Sequence, residues 1–588
     1  MSKNLSYSLL LLIGFVFATH AHAQLPAGIA LLPNDTALFK TPAFVQLVST
    51  TSQPFAKAYH ISTLNPTGKD NFTLRCNLDA VVKTGDVLSL SFYTRSLQSK
   101  KETGESFMEI SLDRTIGGKY NWPPLFERGM SFGTGWSLVQ IPFVAARDVE
   151  KGELSLVIKC GSFPQVFELG GFSLVNYQHK ATIAQLPRTT VHYDGDSPDA
   201  PWRKAAAERI EKYRKGDLTV KVVDKNGKPV TGATVAVTMK KIAYGWGTAT
   251  NSKLILDSTN PSYKKYRDTL LKYFNKVVFE NEMKSKNWAK TDHNKTILAN
   301  NWLRQHNIPA RGHVMVWPSW QNSGHLIHYK NDTAALRAAI IKDIVQETDV
   351  MKGQFTEWDV VNEPYAHDAF LKLLGKDVMV DWFKAARERT SGVQLFLNDY
   401  TMFHGLNVGS ESFYNIIKFL KDKGAEIDAI GEQSHIGGTP PVIDYVLERL
   451  DHFGSLGLPI QISEFDISSD DDDFKARYIK DFFTAIFSHP STIGIMQWGF
   501  WEPEHWIPAS ALWDKDWNIR PEGKAFTELV SKTWATNTAG QTNKDGTYTI
   551  RGFNGEYEVV VNKKGGKQVA SKAVLTSNGQ TVVVKLLN

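Results

Sequence analysis

Trp358-Asp-Val-Val-Asn-Glu-Pro364 and Pro459-Ile-Gln-Ile-Ser-Glu464 are the stretches on which the reading of this 588-residue chain turns. Each is a short apolar run ending on a glutamate where a strand should pass into a loop. A (β/α)8 barrel places its chemistry at the C-terminal ends of its strands. Glu363 and Glu464 are therefore expected to face each other across the mouth of such a barrel. Paired carboxylates in that position suit cleavage of a glycosidic bond.

Working outward, strand-like and helix-like segments alternate between Ala243 and Trp534, as βα units of a parallel sheet do. Helices are expected at Thr333–Glu347, Val378–Arg389, Ser410–Lys423, Pro441–Phe453 and Phe474–Phe487. The barrel is placed at residues 241–537, a span that suits one (β/α)8 unit. Residues 25–178 instead alternate polar and apolar positions between turns. Phe72–Cys76, Val87–Phe92, Phe107–Leu112, Trp136–Ile141 and Leu154–Ile158 read as strands, with Asn65–Gly68 and Lys83–Asp86 as turns. That pattern is an all-β sandwich. It resembles the jelly-roll carbohydrate-binding modules that precede many polysaccharide hydrolases. Tyr120, Trp122 and Phe126 are a candidate aromatic platform for sugar rings or packing at the sandwich edge, and Trp136 is assigned to the core.

Residues 179–216 read as a linker and a helix, Ser197–Gly216, capped by Ser197 or Asp199 with Pro201 near its start. Its charged residues, Arg203 and Lys204 among them, are expected in solvent. Residues 217–240 then form two strands about the turn at Asn226-Gly227. Two strands alone are marginal, and residues 538–588 offer four more. Together they resemble the small seven-stranded transthyretin-like sandwich, which makes the barrel an insertion into it.

Bulk properties narrow the field. A chain that is 42% hydrophobic and 22% charged is ordinary for a soluble globular protein. A net charge of +6 without a clustered basic stripe gives no support for a nucleic-acid partner. Lys3, the apolar run Leu9–Ala18 and Ala21-His-Ala23 read as a secretory signal over residues 1–23. The run is shorter than the ~20 residues a membrane span needs. An exported monomer, periplasmic or secreted, is expected. Cys76 and Cys160 are open to two readings, a disulfide or separate buried thiols. The acidic run Asp470–Asp473 lacks the ligand spacing of a calcium loop. No spaced His/Cys set suits zinc, so neither metal nor cofactor is expected.

Strand after strand, residues 243–534 resemble family 10 of the glycoside hydrolases. The matching segments are Ala243–Ala249, Phe279–Lys284, Arg311–Trp317, Trp358–Pro364, Leu397–Tyr400, Ile430–His435, Ile460–Ile467 and Gln497–Phe500, in that order. The resemblance implies a retaining endo-β-1,4-xylanase, with Glu363 as acid/base and Glu464 as nucleophile. It places Glu280, Asn281 and Lys284 at the −2 sugar, and His313 and Trp317 near the −1 sugar. Asn362 would hold the 2-hydroxyl, and Gln433, Trp498 and Trp506 would complete the −1 walls. His435 would orient Glu464, with Asp466 behind it. Departures from the family pattern fall at Ser285, Pro318-Ser319-Trp320 and Thr401-Met402, positions expected to line the subsites. They leave open which polymer is preferred. The alternatives are another β-1,4-glycan such as β-glucan, or a catalytically silent polysaccharide-binding barrel.

Overall fold

The computed structural model describes residues 25–32, 38–64, 72–99, 106–121, 123–161, 164–190, 192–193, 195–403, 408–437, 440–469, 471–563 and 567–586. Residues 1–23, the turn at Asn65–Gly68, Trp122 and Asp470 lie outside them.

Eight parallel strands close into a barrel: β1 (Gly245–Thr250), β2 (Lys276–Phe279), β3 (Ala310–Gly312), β4 (Glu357–Asn362), β5 (Gln394–Asp399), β6 (Ala429–Glu432), β7 (Ile460–Ile467) and β8 (Thr492–Gln497). Neighbours pair in sequence order, β8 returns to β1, and β6 pairs with β7. β4 and β7 are buried along their whole length, because helices cover the sheet outside and side chains fill it inside. Deep in the barrel, Lys276 pairs with Glu357 and donates to Gln461 Oε1 at 3.0 Å. Arg311 lies 3.5 Å from the same Glu357. These buried charges are tolerable because each has a partner. Register shifts interrupt β4 between Asp359 and Val361, and β7 between Ile462 and Phe465. A bulge re-aims the side chains around it; the one in β4 lies just ahead of Glu363, and the one in β7 contains Glu464.

The covering helices run over Thr333–Val350, Val378–Arg387, Val408–Asp422, Ile443–Gly454 and Asp472–Ser488, with ends close to those expected. The connector differs more. Its helix spans Pro201–Tyr213 without a side-chain cap, and the Ser197 hydroxyl donates to Asp199 rather than capping a helix N–H. Gly216 does not end a helix. It lies inside strand Lys215–Val223, opposite Gly552, where a Cβ would fall 2.0 Å from the Thr576 carbonyl oxygen. Close backbone approach explains that glycine. Nor does Arg203 stay in water, since it forms a two-pronged ion pair with Asp481. Arg214 donates to the carbonyls of Phe487, His489 and Thr492, so the connector is bonded to the barrel.

Strand Lys215–Val223 lies between Thr547–Phe553 and Gln580–Lys585, while Thr234–Ile242 lies between Asn537–Gln541 and Gly555–Asn562. Val569–Leu575 completes the second sheet. Leu218, Val220, Val235, Val237, Val559 and Val582 are buried between the two sheets. The strands on either side of the barrel therefore share one core.

The N-terminal region is two antiparallel sheets over a common core. Phe126 belongs to that core, stacked on Phe143 at 5.0 Å, and not to a platform. Trp136, expected inside, is instead half-buried before strand Ser137–Val144, edge-on to Phe55 and under Arg95. The strand buries Val139, Ile141 and Phe143, so its alternation puts Trp136 on the outward side with Leu138 and Gln140. Cys76 and Cys160 are separate buried thiols. No helix among the described residues is long and apolar enough to cross a membrane.

Candidate active site

At the C-terminal mouth of the barrel, Glu363 is 7% and Glu464 5% exposed. Glu363 follows β4 with φ of +54°, a left-handed backbone that a side chain rarely adopts. Its N–H donates to the Asn398 carbonyl at 2.8 Å, which fixes that turn against β5. Oε1 accepts from Asn362 Nδ2 at 3.1 Å and Gln433 Nε2 at 2.8 Å. Oε2 accepts from the Trp317 indole at 3.2 Å and lies 3.1 Å from His367 Nε2.

Glu464 has different company. Oε2 lies 3.3 Å from His435 Nε2, whose Nδ1 is 3.0 Å from Asp466. Oε1 accepts from Asn398 Nδ2 at 2.8 Å and lies 3.9 Å from His313 Nδ1. Burial opposes ionisation, but His313, His435 and Lys284 outweigh it and hold the carboxyl down at about 2. Burial likewise opposes charge on His435, yet Asp466 and Glu464 push it up to about 10. The two glutamates are joined through amides: Asn398 donates to both Glu464 and Asn362, and Asn362 donates to Glu363.

The remaining expected residues gather around this pair. Trp498 is buried, edge-on to His313 at 5.3 Å. The Lys284 ammonium sits 5.9 Å from both the Trp317 and Trp498 rings and donates to Asn281 at 3.0 Å. Burial lowers Lys284 and raises Glu280 beside it. Trp506 lies at the rim, 46% exposed, with its N–H on Asp466 at 2.7 Å and its ring edge-on to His435.

Departures from the family pattern are mostly absorbed by packing. Trp320 packs edge-on to Phe370 at 4.7 Å, Thr401 bonds Asp399, and Met402 is fully buried. Thr401 and Met402 are buried and offer a sugar almost no surface, whereas Trp320 is half-buried.

Three contributors escaped the sequence reading. Asp359 grips Arg311 and His313, and Asn398 bridges the glutamates, although its Asn-Asp-Tyr segment was visible. His367 lies four residues beyond Glu363, and that spacing was the available signal. Behind Glu363, Asp399 and Glu432 lie side by side on β5 and β6, both buried. Burial and mutual repulsion push Glu432 up to about 8; burial, opposed by Thr401 and helped by Glu363, pushes Asp399 up to about 7. Among the described residues no group of three or more His, Cys, Asp or Glu could hold a metal ion.

A closed parallel barrel with two buried carboxylates in different hydrogen-bonding surroundings at its mouth is the arrangement of a glycosidase-type site. The model of glycosyl hydrolase family 10 matches residues 213–530, and the chain belongs to that family. It is 31% identical over 365 residues to endo-1,4-beta-xylanase 1 of Arabidopsis thaliana, covering 61% of this chain and 38% of that protein. Over 384 residues it is 30% identical to the anti-sigma-I factor RsgI6 of Acetivibrio thermocellus, covering 62% and 47% respectively. The chain thus spans less than half the length of either relative. Xylanase 10B from Thermotoga petrophila, solved with xylobiose, matches with a TM-score of 0.44 and 25% identity, over 50% of this chain and 95% of that one.

Proposed function

We propose that this protein is a retaining endo-β-1,4-xylanase. The observation that carries the reading is the contrast between the two bridged glutamates. Cationic neighbours keep Glu464 ionised, whereas neutral amide and indole donors and one imidazole surround Glu363. Glu464 attacks the anomeric carbon while Glu363 protonates the departing oxygen. The covalent glycosyl-enzyme is then hydrolysed by water that gives its proton to Glu363. Asn362, between the carboxylates, is placed for the sugar 2-hydroxyl, a contact that tightens at the transition state. Trp317 and Trp498 offer flat faces to the pyranose rings. Xylan as the polymer follows the printed names of the xylanase relatives. In this reading residues 1–23 direct export, and the N-terminal sandwich, with Tyr120 exposed, is an accessory glycan-holding module.

Reducing-sugar release from xylan and from β-glucan tests the assignment. Cleavage of xylan is expected; preference for β-glucan would transfer the mechanism to that polymer, and cleavage of neither would end the enzyme reading. Proton NMR of the first product should show the β-anomer, and an initial α-anomer would refute retention.

A further inference from the structure

We propose that His367 is the proton partner of Glu363, sharing through Nε2 and Oε2 the one hydrogen that is delivered to the leaving oxygen. The inference rests on the xylanase reading and names a positioning residue within that site. Four groups meet the Glu363 carboxyl. Asn362 Nδ2 and Gln433 Nε2 occupy Oε1, and both only donate. The Trp317 indole on Oε2 also only donates. Of the four, His367 alone can accept a hydrogen, and its Nε2 lies 3.1 Å from Oε2. An acidic hydrogen on Glu363 therefore belongs on Oε2, facing this ring.

The ring is set for that role. Its backbone N–H bonds to the Glu363 carbonyl at 2.9 Å, its edge meets Trp317 at 5.9 Å, and its side chain is 30% exposed, so it also reaches solvent. The hydrogen bond to Glu363 raises its affinity for protons; burial opposes this, while the charges of Glu363, Asp399 on β5 and Asp368 add to it. The pair enters the reaction with one proton. As the bond from C1 to the leaving oxygen breaks and the bond from C1 to Glu464 forms, that proton passes from Oε2 to the leaving oxygen. The pair is left as carboxylate and neutral imidazole. In the second step water attacks C1, the bond to Glu464 breaks, and the water's proton returns to the pair. Two coupled sites release their last proton at higher pH than the carboxyl alone, so His367 extends activity on the alkaline side.

The test compares wild type with His367→Asn through pH profiles of kcat/KM on xylohexaose and on 2,4-dinitrophenyl β-xylobioside, whose leaving group needs no proton. On xylohexaose the basic limb should fall by about one pH unit, and the activity loss at alkaline pH should exceed that on the aryl substrate by ~10-fold or more. An unmoved limb, or equal losses on both substrates, overturns the proposal. If wild type cleaves neither substrate, it is the xylanase reading that fails. A second measurement covers a variant that does not fold: NMR titration of the His367 ring in wild type and Glu363→Gln. The ring should titrate at lower pH in the variant, and an unchanged titration overturns the proposal.

Discussion

The surroundings of Glu464 and Glu363 differ in kind, though the two side chains are similarly buried and share the Asn398–Asn362 bridge. Glu464 faces His313, His435 and Lys284, and its charge state is imposed by a field. Glu363 faces two amides, an indole and an imidazole. These hold the carboxyl in place through hydrogen bonds, with no arginine or lysine among the described residues bonded to it. In the proposed mechanism Glu464 stays ionised until it attacks, while Glu363 gives up a proton and takes one back in each turnover. Separating the environments of two like groups is how a single site assigns two roles.

The most severe break of this contrast is to remove each carboxyl in turn. Glu464→Ala should lower kcat by roughly 10^4-fold or more on every substrate, because no covalent intermediate forms. Glu363→Ala should cost ~10²–10⁴-fold on xylan but far less in the first step on a dinitrophenyl glycoside. Equal losses on the two substrates would erase the distinction. A milder break is Lys284→Met. Lys284 helps depress Glu464, so its loss should raise that carboxyl and move the acid limb of kcat/KM to higher pH by up to about one unit. A limb that stays put would mean the histidines carry the field alone. The smallest effect is expected from Glu432→Gln, behind Glu363. Glu432 is held above its unfolded value, so the folded state keeps a proton that the unfolded state has lost. That contribution is complete below about pH 4 and fades as pH rises toward about 8. The variant should flatten the fall of Tm across this window by a few degrees, and an unchanged slope would exclude Glu432.

The sequence showed the barrel because each strand carried its own short motif, and because buried parallel strands read as continuous apolar runs. Both glutamates were legible for the same reason: each closes such a run. What could not be read was relational. Asn398 becomes a bridge only once β4, β5 and β7 meet in the closed barrel, and Asp359 a support only when β3 and β4 pair. His367 needed the left-handed turn at Glu363 to bring its ring back to the carboxyl. Outside the barrel, alternation revealed strands but not the places where they stop. Trp136 reads as inward from the sequence although the strand's buried face is Val139, Ile141 and Phe143, and Gly216 reads as a helix stop although a carbonyl at 2.0 Å forbids a Cβ there.

The strands on either side of the barrel have a further consequence, for the order of assembly. Thr219 and Thr549 touch at 2.9 Å but stand 330 positions apart. At ~5–20 residues per second of synthesis, the first strands of the small sandwich wait tens of seconds for their partners. The barrel is complete on the ribosome before the sandwich beneath it can close. Its nascent form must fold above two unpaired strands, which the strands of residues 537–585 then flank.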